Sequence, residues 1–282
     1  MCGLCGFSDI RHSTREEPIL AMLAEMESRG KDATGIASNY VNGRIWYYKR
    51  PAPASRVLKS IHKKKVDPHI QSASTWLGHC RLSTGGDPQN NVNNHPFVQD
   101  GLALTHNGML WNEDHVLEEK GITPKGECDS EAILQLITYH RKQGCSVTTA
   151  IQKACAELSG FITASLVNQH GVLWLWRGPD GFPVFTAFSP DGTQVRFAST
   201  YRGVQVGLVA KEQWDINVMP AGEGLRLTPN KKRLQIAKFK VEQKPAYSFY
   251  YNYYYNGANL DRWEEDNFLS PYSEIDGSKP AL

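Results

Sequence analysis

The sequence predicts an α+β fold, on three observations. Strand-like runs stand both before and after a central block of two helical segments. Strand and helix do not alternate strictly, which argues for layers of sheet and helix and against a doubly wound sheet. The strand runs are short and mostly bounded by Gly, Asn, Asp or Pro. With 282 residues, 40% of them hydrophobic, the chain has enough apolar side chains for one large core or two small ones.

Residues 1–8 (MCGLCGFS) read as a strand that begins at the terminus, with Gly3 and Gly6 permitting close backbone approach. Ser13 and Thr14 are cap candidates. Glu16, Glu17 and Pro18 suit a first turn, and Ile19, Leu23 and Met26 fall at i, i+4 and i+7. This predicts an amphipathic helix over about residues 16–28, stopped by Gly30. From Gly35 to Lys49 the chain alternates weakly around Asn42-Gly43, a hairpin signal. Thr75–Cys80 and Leu102–His106 follow as strands. Asp129–Gln143 carries Ile133, Leu136, Ile137 and His140 on one helical face and ends at Gly144. Ser146–Leu158 carries Val147, Ile151 and Leu158 and ends near Gly160. Strands return at Phe161–Asn168, Val172–Arg177, Val184–Phe188, Val195–Ala198, Val204–Leu208 and Gly224–Leu227. No internal repeat is present.

After about Lys244 the composition changes. Six of the twelve tyrosines fall in residues 247–255 (YSFYYNYYY), and a polar, acidic stretch runs on to Leu282. This divides the chain into a domain over 2–243 and a Tyr-rich tail over 244–282. The tail reads as draped over the domain or ordered by a partner. A platform for stacking nucleic-acid bases is the weaker reading, because few basic residues accompany the rings.

Composition excludes several function classes. With 31 Lys+Arg against 29 Asp+Glu the formal net charge is +2, too small a field to indicate nucleic acid or anionic lipid as a partner. The longest apolar runs, Gly101–Leu104 and Gly171–Trp176, fall well short of the roughly 18 residues of a membrane helix. Asp9, Arg11, Arg15, Glu16 and Glu17 stand where a secretory signal would be apolar. The expectation is therefore a cytoplasmic protein whose six cysteines are reduced thiols. Lys59–Lys65 (KSIHKKK) reads as a solvated face. There is no G-x-x-x-x-G-K-[ST] and no dinucleotide fingerprint, so no cofactor is expected.

Cys2 carries the chemical signal. Removal of Met1 would leave a cysteine holding both a thiol, of reference pKa about 8.5, and an α-amine at about 7.7–8.0. The amine could then serve as base for its own side chain. Cys2-x-x-Cys5 could also be half a zinc site or a thiol–disulfide pair, but no second C-x-x-C follows and no βαβ pattern surrounds it. The spacing of His79, His95 and His106 matches no zinc pattern, and no metal site is expected. On position alone, an inert buried cysteine competes with the nucleophile.

Five further blocks follow in order: Arg29-Gly30-Lys31-Asp32-Ala33-Thr34-Gly35-Ile36-Ala37, Gly78-His79-Cys80-Arg81-Leu82-Ser83-Thr84, Asn94-His95-Pro96-Phe97, His106-Asn107-Gly108 and Asp129-Ser130-Glu131. Together with Cys2 they resemble the glutaminase domain of class II glutamine amidotransferases, the N-terminal-nucleophile hydrolases that serve glucosamine-phosphate synthase, the purine amidophosphoribosyltransferase and asparagine synthetase. The resemblance covers roughly residues 2–228, including the runs Arg177–Val184 and Phe197–Ser199. Leu82 departs from an aromatic position of some branches, Gly85 from a histidine of the amino-sugar enzymes and Thr200 from a common glutamate. These departures concern the branch, not the glutaminase chemistry.

The resemblance implies the four-layer α/β/β/α sandwich of N-terminal-nucleophile hydrolases, with a type 2 glutamine amidotransferase domain over 2–243. It implies hydrolysis of L-glutamine to glutamate and ammonia through a γ-glutamyl thioester on Cys2. Arg81 would take the substrate's α-carboxylate and Asp129 its α-ammonium, with Thr84 also at the substrate. The Asn107 side chain and the Gly108 backbone N–H would stabilise the oxyanion. Arg29, His95 and His106 would support the site. Read alone, Arg81 is equally a surface cation, Asp129 a helix cap and Asn107-Gly108 a turn. Only about 50 residues follow the recognisable domain, so a separate ammonia-accepting synthetase or transferase subunit is the expected partner. Membrane and direct nucleic-acid binding are not expected. The other readings are an amidohydrolase of γ-glutamyl peptides or amides, and a non-catalytic binding protein on the same fold.

Overall fold

The computed structural model describes residues 1–11, 16–40, 43–61, 73–208 and 213–244. The cap candidates Ser13 and Thr14, the turn residue Asn42, residues 62–65 of the basic run and the Tyr-rich segment 247–255 lie outside the described residues, as do the side chains of residues 16–19.

In chain order the elements are β1 (Gly3–Asp9), α1 (Glu16–Met26), β2 (Ala33–Tyr40), β3 (Arg44–Arg50), α2 (Ala54–Ile61), β4 (Thr75–Arg81), β5 (Phe97–Gln99), β6 (Leu102–Leu110), α3 (Glu113–Glu119), α4 (Glu131–Lys142), α5 (Val147–Glu157), β7 (Gly160–Asn168), β8 (Leu173–Arg177), β9 (Phe185–Phe188), β10 (Gln194–Ala198), α6 (Tyr201–Gln205), β11 (Ile216–Val218), β12 (Glu223–Pro229) and β13 (Leu234–Lys240). They form two antiparallel sheets, ordered β11-β9-β10-β1-β4-β2-β3 and β13-β12-β8-β7-β6-β5.

Alternation along the strands decides the layers, since successive side chains of a strand point to opposite faces. In β1, Leu4 packs with Leu77, Phe197, Ala103, Val167 and Leu175 between the two sheets. Its neighbours Cys5 and Phe7 face the other way, onto Met22, Leu23 and Met26 of α1. In the second sheet, Leu104, Leu166 and Trp176 face Ile133 and Ile137 of α4 and Ile151 and Cys155 of α5. Three apolar interlayers separate four layers, α/β/β/α, as the resemblance implies. Among the described residues no helix is long and apolar enough to cross a membrane.

One expectation is overturned. Val204–Leu208 is not a strand: α6 covers Tyr201–Gln205, and its N-terminus is capped by the Thr200 hydroxyl, which accepts from Gly203 N–H at 2.9 Å. A Cβ on Gly203 would run into the Met26 side chain and Ala198, so glycine lets α6 seat against α1. A five-residue stretch whose apolar residues are Val204, Val206 and Leu208 fits a buried strand and a buried helical turn equally well. The elements not foreseen, α2, α3, β5, β11 and β13, are short or, like β13, largely exposed at a sheet edge.

Candidate active site

The site is built where β1 starts and β4 ends. The β1–β4 ladder pairs Gly3 with Cys80 and Leu4 with His79, so Cys2, one residue before it, comes abreast of Arg81. Leu77 faces the space between the sheets, and alternation carries His79 and Arg81 to that same face. Ser199 brackets Leu4: its hydroxyl accepts from Leu4 N–H at 3.0 Å and its N–H donates to Leu4 O at 2.9 Å. The Arg29–Asp32 turn wraps the end of β4. Arg29 Nε–H donates to Cys2 O at 3.3 Å, Asp32 N–H to Arg81 O at 3.0 Å, and Ser83 N–H to Asp32 Oδ2 at 2.7 Å. A side chain at Gly30 would overlap the Arg81 carbonyl, so this turn needs glycine.

Cys2 is half-buried, and its thiol donates to Leu82 O at 3.4 Å. Burial pushes this thiol up from its ordinary value; the amino terminus and the Arg81 guanidinium pull it down, and Asp129 adds to the rise. The thiol therefore needs a base to react at neutral pH. Burial pushes Cys128 and Cys155 up to about 12, and Cys5 and Cys80 well up. Those four are inert packing thiols.

Arg81 is 2% exposed. Its Nη1 donates to Asn94 Oδ1 at 2.9 Å, and its Nη2 donates to Gly86 O at 3.2 Å and to Gly85 O. Three of the five donor directions of the guanidinium are thus held by the loop after β4. His95 stacks on His79 with ring centroids 3.9 Å apart and meets Phe97 edge-on at 4.7 Å. Burial drives His79 down to about 3 and His95 well below its ordinary value, so both rings are neutral at pH 7. His79 Nε2–H donates to His106 O at 2.8 Å, which ties β4 of one sheet to β6 of the other.

On β6, Ala103 faces the space between the sheets, so Asn107 does too, while His106 faces the helices. Asn107 is fully buried, and neither its Nδ2 nor its Oδ1 has a hydrogen-bond partner among the described residues. His106 Nε2–H donates to Phe161 O at 3.0 Å, and its Nδ1 meets Ser130 Oγ at 2.8 Å. A Cβ at Gly108 would fall onto the Phe161 carbonyl and His106 Nε2. Only glycine leaves room for that bond.

Asp129 joins β6 to the start of α4. Its Oδ2 accepts from Leu110 N–H at 2.8 Å and its Oδ1 from Ser130 N–H at 2.6 Å. It therefore does what a cap does, although Ser130 occupies the cap position of α4. The structure brings together Cys2, Arg81, Asn107, Gly108, Asp129, Arg29, His95 and His106. Thr84 is exposed in the loop after β4. A cavity of about 270 Å³ lies beside the cluster, lined by Lys49, Phe97, Lys125 and Glu131 among others, and does not include Cys2. Among the described residues no group of three His, Cys, Asp or Glu could hold a metal ion.

Sequence reasoning missed Lys49. Its Nζ donates to Asn94 O at 2.6 Å and Pro96 O at 3.1 Å. A lysine on an edge strand is ordinary, and no local signal marks it.

Comparison with known proteins points the same way as the geometry. Residues 79–205 match the family described as a glutamine amidotransferase domain. The chain is 30% identical over 217 residues to the isomerizing glutamine–fructose-6-phosphate aminotransferase of Campylobacter jejuni, covering 76% of this chain and 31% of the relative. Its Escherichia coli K12 counterpart is 29% identical over 174 residues, 60% of this chain and 27% of the relative. The chain thus spans under a third of these curated relatives. Among solved structures, a glutamine phosphoribosylpyrophosphate amidotransferase from B. subtilis superposes with a TM-score of 0.64 at 20% identity, over 85% of this chain and 49% of that one. A glutamine aminotransferase class-II domain protein from Silicibacter pomeroyi superposes with a TM-score of 0.53 at 14% identity, over 85% and 99%. At these identities the structural likeness establishes the fold.

Proposed function

For a chain that carries a class II glutamine amidotransferase domain on the N-terminal-nucleophile hydrolase fold, we propose the reaction of a glutaminase: hydrolysis of L-glutamine to glutamate and ammonia on Cys2. The observation that carries this reading is the convergence at one end of the two sheets. Cys2 lies within electrostatic reach of Arg81 and Asp129, and the His79–His106 bond holds the strand bearing Asn107 and Gly108 against the strand bearing Arg81.

The chemistry follows from the groups. Removal of Met1 exposes the α-amine of Cys2, which takes the proton of a thiol that burial holds protonated. The thiolate attacks the side-chain carbonyl carbon of glutamine, and the negative charge moves to the oxygen. Asn107, a buried amide without another partner among the described residues, and the Gly108 N–H donate to that oxygen. The α-ammonium of Cys2 returns the proton to the departing ammonia, and water then splits the γ-glutamyl thioester. Arg81 holds the α-carboxylate through its remaining donors, and Asp129 the α-ammonium. Neutral His79 and His95 add no competing cation beside Arg81.

The reading extends to an ammonia-accepting synthetase or transferase subunit, to a domain over residues 2–243 and to the cytoplasm, where six free thiols are at home. The test is intact-mass analysis with the glutamine-mimicking electrophile 6-diazo-5-oxo-L-norleucine. Loss of Met1 and a single adduct on Cys2, absent in Cys2→Ala, is expected. An adduct on Cys145 or Cys5, or none on a chain lacking Met1, would overturn the mechanism.

A further inference from the structure

We propose that Lys49 is a positioning residue for glutamine: from edge strand β3 it fixes the Asn94–Pro96 segment that holds the Arg81 guanidinium. This rests on the reading of Arg81 as the cation for the α-carboxylate. Asn94 is gripped from both ends. Its carbonyl accepts from Lys49 Nζ at 2.6 Å, and its side-chain oxygen accepts from Arg81 Nη1 at 2.9 Å. Its Nδ2 is committed as well, to Pro88 O at 2.7 Å and Asn91 Oδ1 at 3.1 Å. Asn94 therefore has no spare bond with which to follow Arg81 if its backbone moves. Lys49 thus fixes the Nη1 edge of the guanidinium through Asn94, while Gly85 O and Gly86 O hold Nη2.

Lysine suits the place. Two carbonyls, Asn94 O and Pro96 O, converge on one point, and an ammonium has three donors to serve them. The same ammonium lies 5.4 Å from the centre of the Phe97 ring. A methionine there would fill the space of the stem and leave both carbonyls unserved. Carboxylate binding by a planar fork depends on its orientation as much as on its charge. The cost of losing Lys49 should therefore appear in substrate binding rather than in bond breaking.

The groups facing Lys49 are Glu131 from α4, Cys128 from the loop before it, Arg81 from β4 and His95 from the segment it holds; Lys125 lines the same cavity. Burial lowers Lys49 to about 8 against the pull of Glu131, with Arg81 adding to the fall. Between pH 7 and 9 its ammonium therefore gives way to a neutral amine, a weaker partner for two carbonyls.

The test is calorimetric binding of L-glutamine to the full chain carrying Cys2→Ala, which leaves the substrate intact, with and without Lys49→Met or Lys49→Arg. Lys49→Met should weaken binding roughly tenfold, the size of one charge-assisted hydrogen bond, and Lys49→Arg should recover most of it. The gap between parent and Lys49→Met should close as pH rises from 7 to 9, because the parent loses its charge over that range. In the active enzyme Lys49→Met should raise KM and leave kcat within about threefold. If Lys49→Met does not fold, Lys49→Arg carries the test, since a guanidinium stays charged and should remove the alkaline loss. Unchanged affinity in Lys49→Met overturns the proposal while the glutaminase reading stands. A folded Cys2→Ala chain that binds no glutamine sinks that reading itself.

Discussion

Replacing Asn107 by alanine should separate stability from activity. A buried amide normally repays its burial with hydrogen bonds, and removing such a residue destabilises. Asn107 is fully buried with neither side-chain atom bonded among the described residues. Leaving one such group unmet costs about 1–3 kcal/mol, and Asn107→Ala removes that cost. Against this stands a void of roughly 25 Å³, worth about 0.6 kcal/mol at ~24 cal/mol per Å³. The unfolding free energy should therefore stay the same or rise by about 2 kcal/mol. Glutamine turnover should fall about 10²–10³-fold, or about 2.7–4 kcal/mol of barrier, if the amide meets the oxyanion. Urea unfolding with the slope checked for constancy, run beside a glutamate-release assay, measures both. A loss of more than about 2 kcal/mol of stability would mean that Asn107 is a structural residue, and turnover within threefold of the parent would remove its catalytic role.

Two other substitutions test the strands around it. Gly108→Ala places a methyl group on the Phe161 carbonyl and His106 Nε2, breaking a bond of about 1 kcal/mol and adding about 1–3 kcal/mol of overpacking; at 2–4 °C per kcal/mol, the melting temperature should fall by roughly 4–16 °C, and an unchanged value would refute the steric argument. Arg81→Ala should raise KM for glutamine at least tenfold with a smaller change in kcat, and Arg81→Lys should restore little of it because an ammonium lacks the fork; equal loss in kcat and KM, or full rescue by lysine, would contradict the assigned role.

Much of this was legible in the sequence because the site residues sit in contiguous blocks whose residue types are unusual together. Arg81 has His79 and Ser83 two residues to either side at the end of β4, and Asn107 has His106 and Gly108 beside it within β6. The hairpin of β2 and β3 was legible from Asn42-Gly43, and α4 and α5 from periodicity over ten or more residues. Val204–Leu208 misled because its pattern is too short to carry a period. Lys49 was invisible for a different reason: its bond to Asn94 spans 45 residues and exists only because the edge strand β3 runs beside a loop that follows β4. No local rule registers a contact made by topology. Thr84 belongs to the same contiguous motif as Arg81, and the structure shows it exposed in the loop after β4.

The location of the site follows from the periodicity that builds the core. Between the sheets, the inward positions of β1, β4 and β6 read Leu4, Leu77 and Ala103 in the interior, and the same alternation continued to one end reads Cys2, His79, Arg81 and Asn107. The register does not change there; only the residue type does. An apolar residue at any of these four positions would extend the core. Instead that end holds a thiol pushed up by burial, two neutral histidines, an arginine 2% exposed and an amide without a partner among the described residues. Each departs from what folding alone favours, and they gather at one end of one interlayer. Their convergence beside Cys2, one residue before β1, is what the proposed chemistry needs and what packing of the sheets does not require.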